Sequence, residues 1–145
     1  MIGQVCTKPV VTVSPTATIQ EAARLMQRKR VGALVVVNSG RPQGILTDRD
    51  IAMAVVAEGK DPETLSVSAV MRKNPAVIRE DQGIFDAIKL LSAKGVRRLP
   101  VVSRTGKLTG IIALDDLLML LGTEMGHVSH ALSRGLGRPG LALAS

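Results

Sequence analysis

The sequence predicts a mixed α/β (α+β) fold made of two β-α-β-β-α repeats, and three observations carry that prediction. First, Ile19 to Val37 realigns on Ile84 to Val102 at a shift of 65, matching Ala22, Leu25, Met26, Val31 and Leu34 with residues of the same or similar type. Second, each copy couples a stretch of helical apolar period to an aliphatic run too short for a helix. Third, the punctuation recurs at a shift of 66: Pro9-Val10-Val11 matches Pro75-Ala76-Val77, and Gly44 to Asp50 matches Gly110 to Asp116. The changes of shift place one missing residue between Val77 and Ile84 and one added residue around Thr105-Gly106, in loops, where length changes cost little. A repeat of this length means two supersecondary units that cover each other's apolar faces, with the seam between them as the place for a ligand.

In the first copy Val10 to Val13 is a strand opened by Pro9, and Ser14 to Ala17 turns into a helix. Thr18 and Glu21 have the spacing of a capping box. Ile19, Ala22, Ala23, Leu25 and Met26 then form one apolar stripe on a helix reaching Arg30, with Arg24, Arg28 and Lys29 on the outer face. Ala33 to Val37, five apolar residues rich in Val, is a strand buried on both faces. Asn38 to Gln43 is a turn, Gly44-Ile45-Leu46 the returning strand, and Thr47 opens a second helix that ends before Gly59.

The second copy repeats the plan. It has a strand at Val77-Ile78, a helix from Gly83 to Lys94 stopped by Gly95, strands at Leu99 to Val102 and Leu108 to Ile112, and a last helix from Asp115. Pro100 cannot donate to a sheet ladder, which predicts an edge strand or an exposed residue there. Gly59 to Ser66, with Asp61-Pro62, connects the copies. The expected division is repeat 1 over 1–60, repeat 2 with the connector over 61–121, and a C-terminal extension over 122–145. The extension holds five of the fourteen glycines, so much of it is expected to be flexible. Leu121, Met125, Val128 and Leu132 lie at helical spacing within it and suggest a segment that covers a partner or an apolar edge.

At 145 residues and 46% hydrophobic, the chain can bury one core, whereas each half alone would be marginal. The core is aliphatic, because Phe85 is the single aromatic residue. One cysteine, Cys6, excludes an internal disulfide framework and a cysteine-based zinc site, and it reads as a small apolar residue. His127 and His130 sit three apart and could share a helix face, but a metal site there is not expected. No apolar run approaches the roughly 20 residues that cross a bilayer, and no secretion signal opens the chain, so a cytoplasmic location is expected with no membrane contact. The net charge of +7 is spread almost evenly over both halves, with no interleaved aromatics, which disfavours nucleic acid as the partner. No nucleophile, base and orienting acid recur at catalytic spacing, and no glycine-rich phosphate loop is present, so an enzyme is not expected.

Three stretches carry a family resemblance: Val70-Met71 before Pro75, Gly95-Val96-Arg97-Arg98-Leu99-Pro100-Val101-Val102, and Gly44-Ile45-Leu46-Thr47-Asp48-Arg49-Asp50. Together they resemble the tandem CBS domain pair, the cystathionine-β-synthase-type regulatory module, over Val5 to Leu121. The resemblance implies two units packed sheet to sheet about a pseudo-twofold axis. It also implies two clefts that bind adenosine-containing ligands, no catalysis, and a dimer in which four repeats form a flat disc.

For the site, the resemblance makes Asp50 the ribose-binding carboxylate and Thr47 a hydroxyl contact, with phosphate-binding cations Arg97 and Arg98 arriving from the other repeat. Arginine suits that task because it can hold a phosphate by two parallel hydrogen bonds. Thr47 and Asp50 equally fit the spacing of an N-capping pair that touches no ligand, and Arg97-Arg98 equally fit a solvated basic pair. Val11, Thr12, Val13 and Ile45 are the candidates for the adenine slot. The second cleft, using Ala113 and Asp116, departs from the pattern. Ala113 has no hydroxyl, Gly32 and Ala33 replace the arginines, and Asp115 adds negative charge that Arg49 partly offsets. It is expected to be empty, weak, or limited to an adenosyl ligand with little negative charge.

The expected function is therefore a regulatory module, needing no cofactor, that binds an adenine nucleotide. AMP is favoured, then ADP or ATP. The module would act as a homodimer on an unidentified effector protein. The alternatives are a dimerisation scaffold that binds nothing and a nucleic-acid binder driven by the positive charge.

Overall fold

Each aliphatic run nucleates its own sheet. The computed structural model describes residues 1–136. The first repeat runs β1 (Thr12–Val13), α1 (Ile19–Lys29), β2 (Ala33–Asn38), β3 (Arg41–Thr47) and α2 (Asp48–Ile51), which widens into a π-helical stretch at Ala52–Val56. The one-turn helix α3 (Val67–Val70) and β4 (Arg72–Lys73) lead into the second repeat. That repeat comprises β5 (Ile78–Arg79), α4 (Ile84–Lys94), β6 (Arg98–Val102), β7 (Leu108–Ala113) and α5 (Leu114–Leu136). A 3-10 turn at Ile2–Gln4 precedes them all. The sheets are β1-β2-β3-β4 and β5-β6-β7, with β1 parallel to β2, β5 parallel to β6, and the remaining pairs antiparallel.

Local signals set the ends of α1. Thr18 Oγ1 accepts from Glu21 N and Glu21 Oε2 accepts from Thr18 N, both at 3.1 Å, closing the expected capping box. At its other end Arg30 takes a left-handed conformation, φ 55°, where the equivalent stop of α4 is Gly95, φ 64°.

Strand register moves the length difference between the copies. Val13 pairs with Val36 and Ile78 with Val101, so Ile78 is the counterpart of Val13. The missing residue of the second copy therefore lies ahead of β5, between Pro75 and Ile78, and not between Val77 and Ile84.

Pro100 also corrects the sequence reading, because β6 is the central strand of its sheet and Pro100 is buried. In the first copy, Val35 N at this position donates to Val11 O at 3.2 Å. Pro100 has no such hydrogen. The parallel ladder accordingly starts one step later, at Ile78–Val101, and only that bond is forgone.

Two aliphatic cores lie between sheets and helices, and each recruits a segment from the other half of the chain. The first holds Ile19, Ala22, Leu34, Val36, Leu46 and Val55 together with Val67, with Val70 and Met71 packed against it. The second holds Ile78, Ala87, Leu91, Leu99, Val101, Ile112 and Leu117 together with Ile2, with Cys6 packed against it. Ile2 N and Gly3 N anchor the N-terminus by donating to Gln82 O and Glu80 O at 2.8 and 2.9 Å. Val35 and Val102 are buried yet belong to neither core, because alternation along β2 and β6 turns them to the opposite face of each sheet. At the hairpin ends the repeats join directly, Leu108 N donating to Gly40 O at 2.9 Å and Lys107 Nζ to Ser39 O at 2.7 Å.

Of the two expectations for the C-terminal extension, partly helical or flexible, its described part is helical, because α5 continues unbroken through Gly122 and Gly126 to Leu136. A glycine costs a helix only about 1 kcal/mol, and Leu, Met and Ala around these two favour it. The part of that expectation concerning 137–145 lies outside the described residues.

Candidate functional site: two unequal carboxylate clefts

Each sheet's returning strand ends at a residue three positions ahead of an aspartate. In the first repeat Thr47 Oγ1 accepts from Asp50 N at 3.1 Å while Asp50 Oδ2 accepts from Thr47 N at 3.0 Å, a complete capping box. In the second repeat Ala113 cannot accept, and only the return bond remains, Ala113 N donating to Asp116 Oδ2 at 3.2 Å. One oxygen of each carboxylate thus serves the backbone, and the other is left for chemistry.

The two spare oxygens meet different neighbours. Asp50 Oδ1 accepts from Arg72 Nε at 3.3 Å, and its side chain is 12% exposed against 67% for Arg72. Arg72 reaches it because β4 adds to β3, pairing Ile45 with Arg72 and Gly44 with Lys73. That addition requires Gly44, where a Cβ would lie 2.6 Å from Met71 Sδ and 2.8 Å from Arg72 O.

In the second repeat the N-terminal segment takes the place of β4. Thr7 bridges to Ile111, Thr7 N donating to Ile111 O at 2.9 Å and Ile111 N to Thr7 O at 3.2 Å, and Cys6 Sγ lies where a Cβ on Gly110 would clash. Thr7 is therefore the positional counterpart of Arg72. Beside it opens a cavity of about 380 Å³ between the N-terminal segment (Val5, Thr7), β7 (Ile112) and α5 (Asp116, Met119, Leu120, Thr123). One carboxylate, two hydroxyls and aliphatic surface line it, with no basic side chain, which suits a neutral or cationic ligand having an apolar part.

The remaining predicted site residues fall in several places. Arg97 pairs with Asp115 of its own repeat, Nη2 to Oδ1 at 3.5 Å, with both side chains exposed, and its carbonyl accepts from Leu114 N. Arg98 is half-buried at the start of β6 opposite Ala113, and Arg49 is exposed on α2. Ile45 is half-buried beside Arg72, Thr12 is exposed, and Val13 and Val11 belong to the first core or pack against it. The structure thus brings together Thr47, Asp50 and Ile45 with Arg72, and Ala113 with Asp116. Sequence reasoning missed Arg72 as the partner of Asp50, and Thr7, Val5, Met119 and Thr123 as cavity walls. The repeat alignment held the signal for the first of these, since Thr7 and Arg72 stand 65 residues apart.

The model of the CBS domain matches residues 2–57 and again 67–123, and the chain belongs to the CBS domain family. It is 42% identical over 130 residues to the CBS domain-containing protein YhcV of Bacillus subtilis, covering 86% of this chain and 91% of that protein. It spans only 61% and 42% of relatives from Methanopyrus kandleri and Methanocaldococcus jannaschii, and 23% of one from Arabidopsis thaliana. Among solved structures, the CBS domain protein PAE2072 from Pyrobaculum aerophilum, complexed with AMP, superposes with a TM-score of 0.74 at 26% identity, over 84% of this chain and 98% of that one. The CBS domain pair of protein MJ0100, in complex with 5′-methylthioadenosine and S-adenosyl-L-methionine, gives a TM-score of 0.76 at 26% identity, over 86% and 97%. The fold is thus that of a CBS domain pair. No helix among the described residues is long and apolar enough to cross a membrane.

Proposed function

We propose that this chain is a regulatory module that binds an adenine nucleotide between its repeats, AMP before ADP or ATP, and signals to an effector protein as a homodimer. The observation that carries this reading is the pair of equivalent carboxylates, Asp50 and Asp116, each held by the backbone through one oxygen at the head of a helix. A carboxylate fixed in this way is already oriented to accept from ribose hydroxyls, directly at Asp116 and after Arg72 gives way at Asp50. The AMP-bound relative of the same fold supports the ligand class. Arg97 and Arg98 supply phosphate-binding cations to the Asp50 cleft, and the Asp116 cleft takes the less anionic ligand. Val56 and Phe85, exposed on the helical faces, support burial against a second copy. A ligand signals only through its different affinities for two states of that dimer.

Isothermal titration of AMP, ATP and S-adenosylmethionine into the protein tests this. Saturable AMP binding that Asp50→Ala abolishes, and that a combined Arg97→Ala/Arg98→Ala variant weakens more for ATP than for S-adenosylmethionine, is the expected result. No heat and no thermal shift with any of the three would overturn the reading and leave a scaffold in its place.

A further inference from the structure

We propose that Arg72 is the specificity-determining residue of the Asp50 cleft. It is an internal counter-ion that a phosphorylated ligand draws away from Asp50 and that a ligand without phosphate must displace uncompensated. The inference rests on the reading that Asp50 binds an adenosyl ligand, and it deepens that reading by naming what the cleft rejects.

The two repeats place equivalent clefts side by side in one molecule. At matched positions the two clefts share Val70 and Val5, Asp50 and Asp116, Met53 and Met119; they differ at Thr47 against Ala113, Ala54 against Leu120 and Ala57 against Thr123, but Arg72 against Thr7 is the difference that places a charge on the carboxylate itself. Where Thr7 stands, a cavity is open and Asp116 is exposed. Where Arg72 stands, its guanidinium sits on the spare Asp50 oxygen and that side chain is largely covered. A ribose hydroxyl needs this same oxygen.

The ion pair is easily broken by the right ligand, since Arg72 is mostly exposed and exposed pairs are weak. A phosphate offers the guanidinium a charge-assisted, two-point partner in exchange for one carboxylate oxygen at 3.3 Å. The arginine therefore changes partner when a nucleotide enters, and its cost becomes a gain. Adenosine, or a cationic adenosyl sulfonium, offers no such exchange. The Asp116 cleft, with Thr7 in place of the arginine, lacks this filter.

The test compares AMP with adenosine by titration of the full chain in an Asp116→Ala background, which silences the second cleft, with Arg72 intact, Arg72→Lys and Arg72→Thr. With Arg72 intact AMP is preferred. In Arg72→Thr the preference falls about tenfold, AMP binding more weakly and adenosine more tightly, and Arg72→Lys keeps part of it. The reciprocal Thr7→Arg change in an Asp50→Ala background gives the Asp116 cleft a preference for AMP. A purely structural role for Arg72 would weaken both ligands alike. Binding with an unchanged ratio, or a ratio that shifts only with fold stability, overturns the role of Arg72 and leaves the nucleotide reading standing. Absence of binding by either ligand to every variant and to the unmodified protein overturns that reading, and the specificity proposal with it.

Discussion

At the residue scale, Gly44 and Gly110 do more than complete a sheet. Each is the point where a strand is approached so closely that a β-carbon has no room, and each thereby admits the segment that carries the cleft's variable side chain, Arg72 or Thr7. The obstruction at Gly44 includes a backbone oxygen, Arg72 O, which cannot swing aside as a side-chain end can. Gly44→Ala is therefore expected to destabilise the protein by about 1–3 kcal/mol. It should also release Arg72 from Asp50, seen as a lower urea midpoint and a changed chemical shift of the Asp50 carboxyl carbon. An unchanged midpoint would mean that β4 need not lie where it does. The glycines were visible in the repeated motif, but what they make room for was not, because Met71 and Cys6 are distant from them in the chain.

At the element scale the local code was legible. The capping box at Thr18 and Glu21, the stop at Gly95 and the apolar face of α1 are relations between residues at most a few positions apart, which a sequence displays directly. The same comparison shows where the first copy is poorer: Arg30 occupies the left-handed position that Gly95 fills in the second. Arg30→Gly should relieve the β-carbon strain and raise stability by up to about 1 kcal/mol, measured by chemical denaturation. A loss of stability would show that the arginine's own contacts outweigh the strain. Element identity was harder where context decides. Pro100 suggested an edge strand, yet the sheet places it centrally and the parallel ladder only starts one step later. The glycines after Leu121 suggested a flexible tail, yet the helix runs through Gly122, Gly126 and Gly135.

At the scale of the whole molecule, the repeats are interlocked, each core being completed by a segment that precedes the other repeat. Ile2, at the very start of the chain, is fully buried among residues of the second repeat. Ile2→Ala should cost about 2–5 kcal/mol. Hydrogen exchange should show the amides of β5–β7 loosening before those of β1–β3, although Ile2 is nearer the latter in sequence. The opposite order would contradict the exchange of segments. The interlocking also links function to assembly, since the strand that delivers Arg72 to Asp50 is part of the segment whose Val67 and Met71 close the first core.

By itself the sequence determined the two repeats, their helices and strands, and the pair of aspartates, because periodicity, caps and internal repetition are written at short range or by direct comparison of two copies. Only the tertiary structure decided which cation sits on Asp50, why one cleft is open while the other is covered, and which half of the chain completes each core. Those outcomes depend on side chains brought together across 22 residues in one case and about a hundred in the other. Contacts of that kind are set by how the sheets and segments stack, which no local pattern of residues encodes.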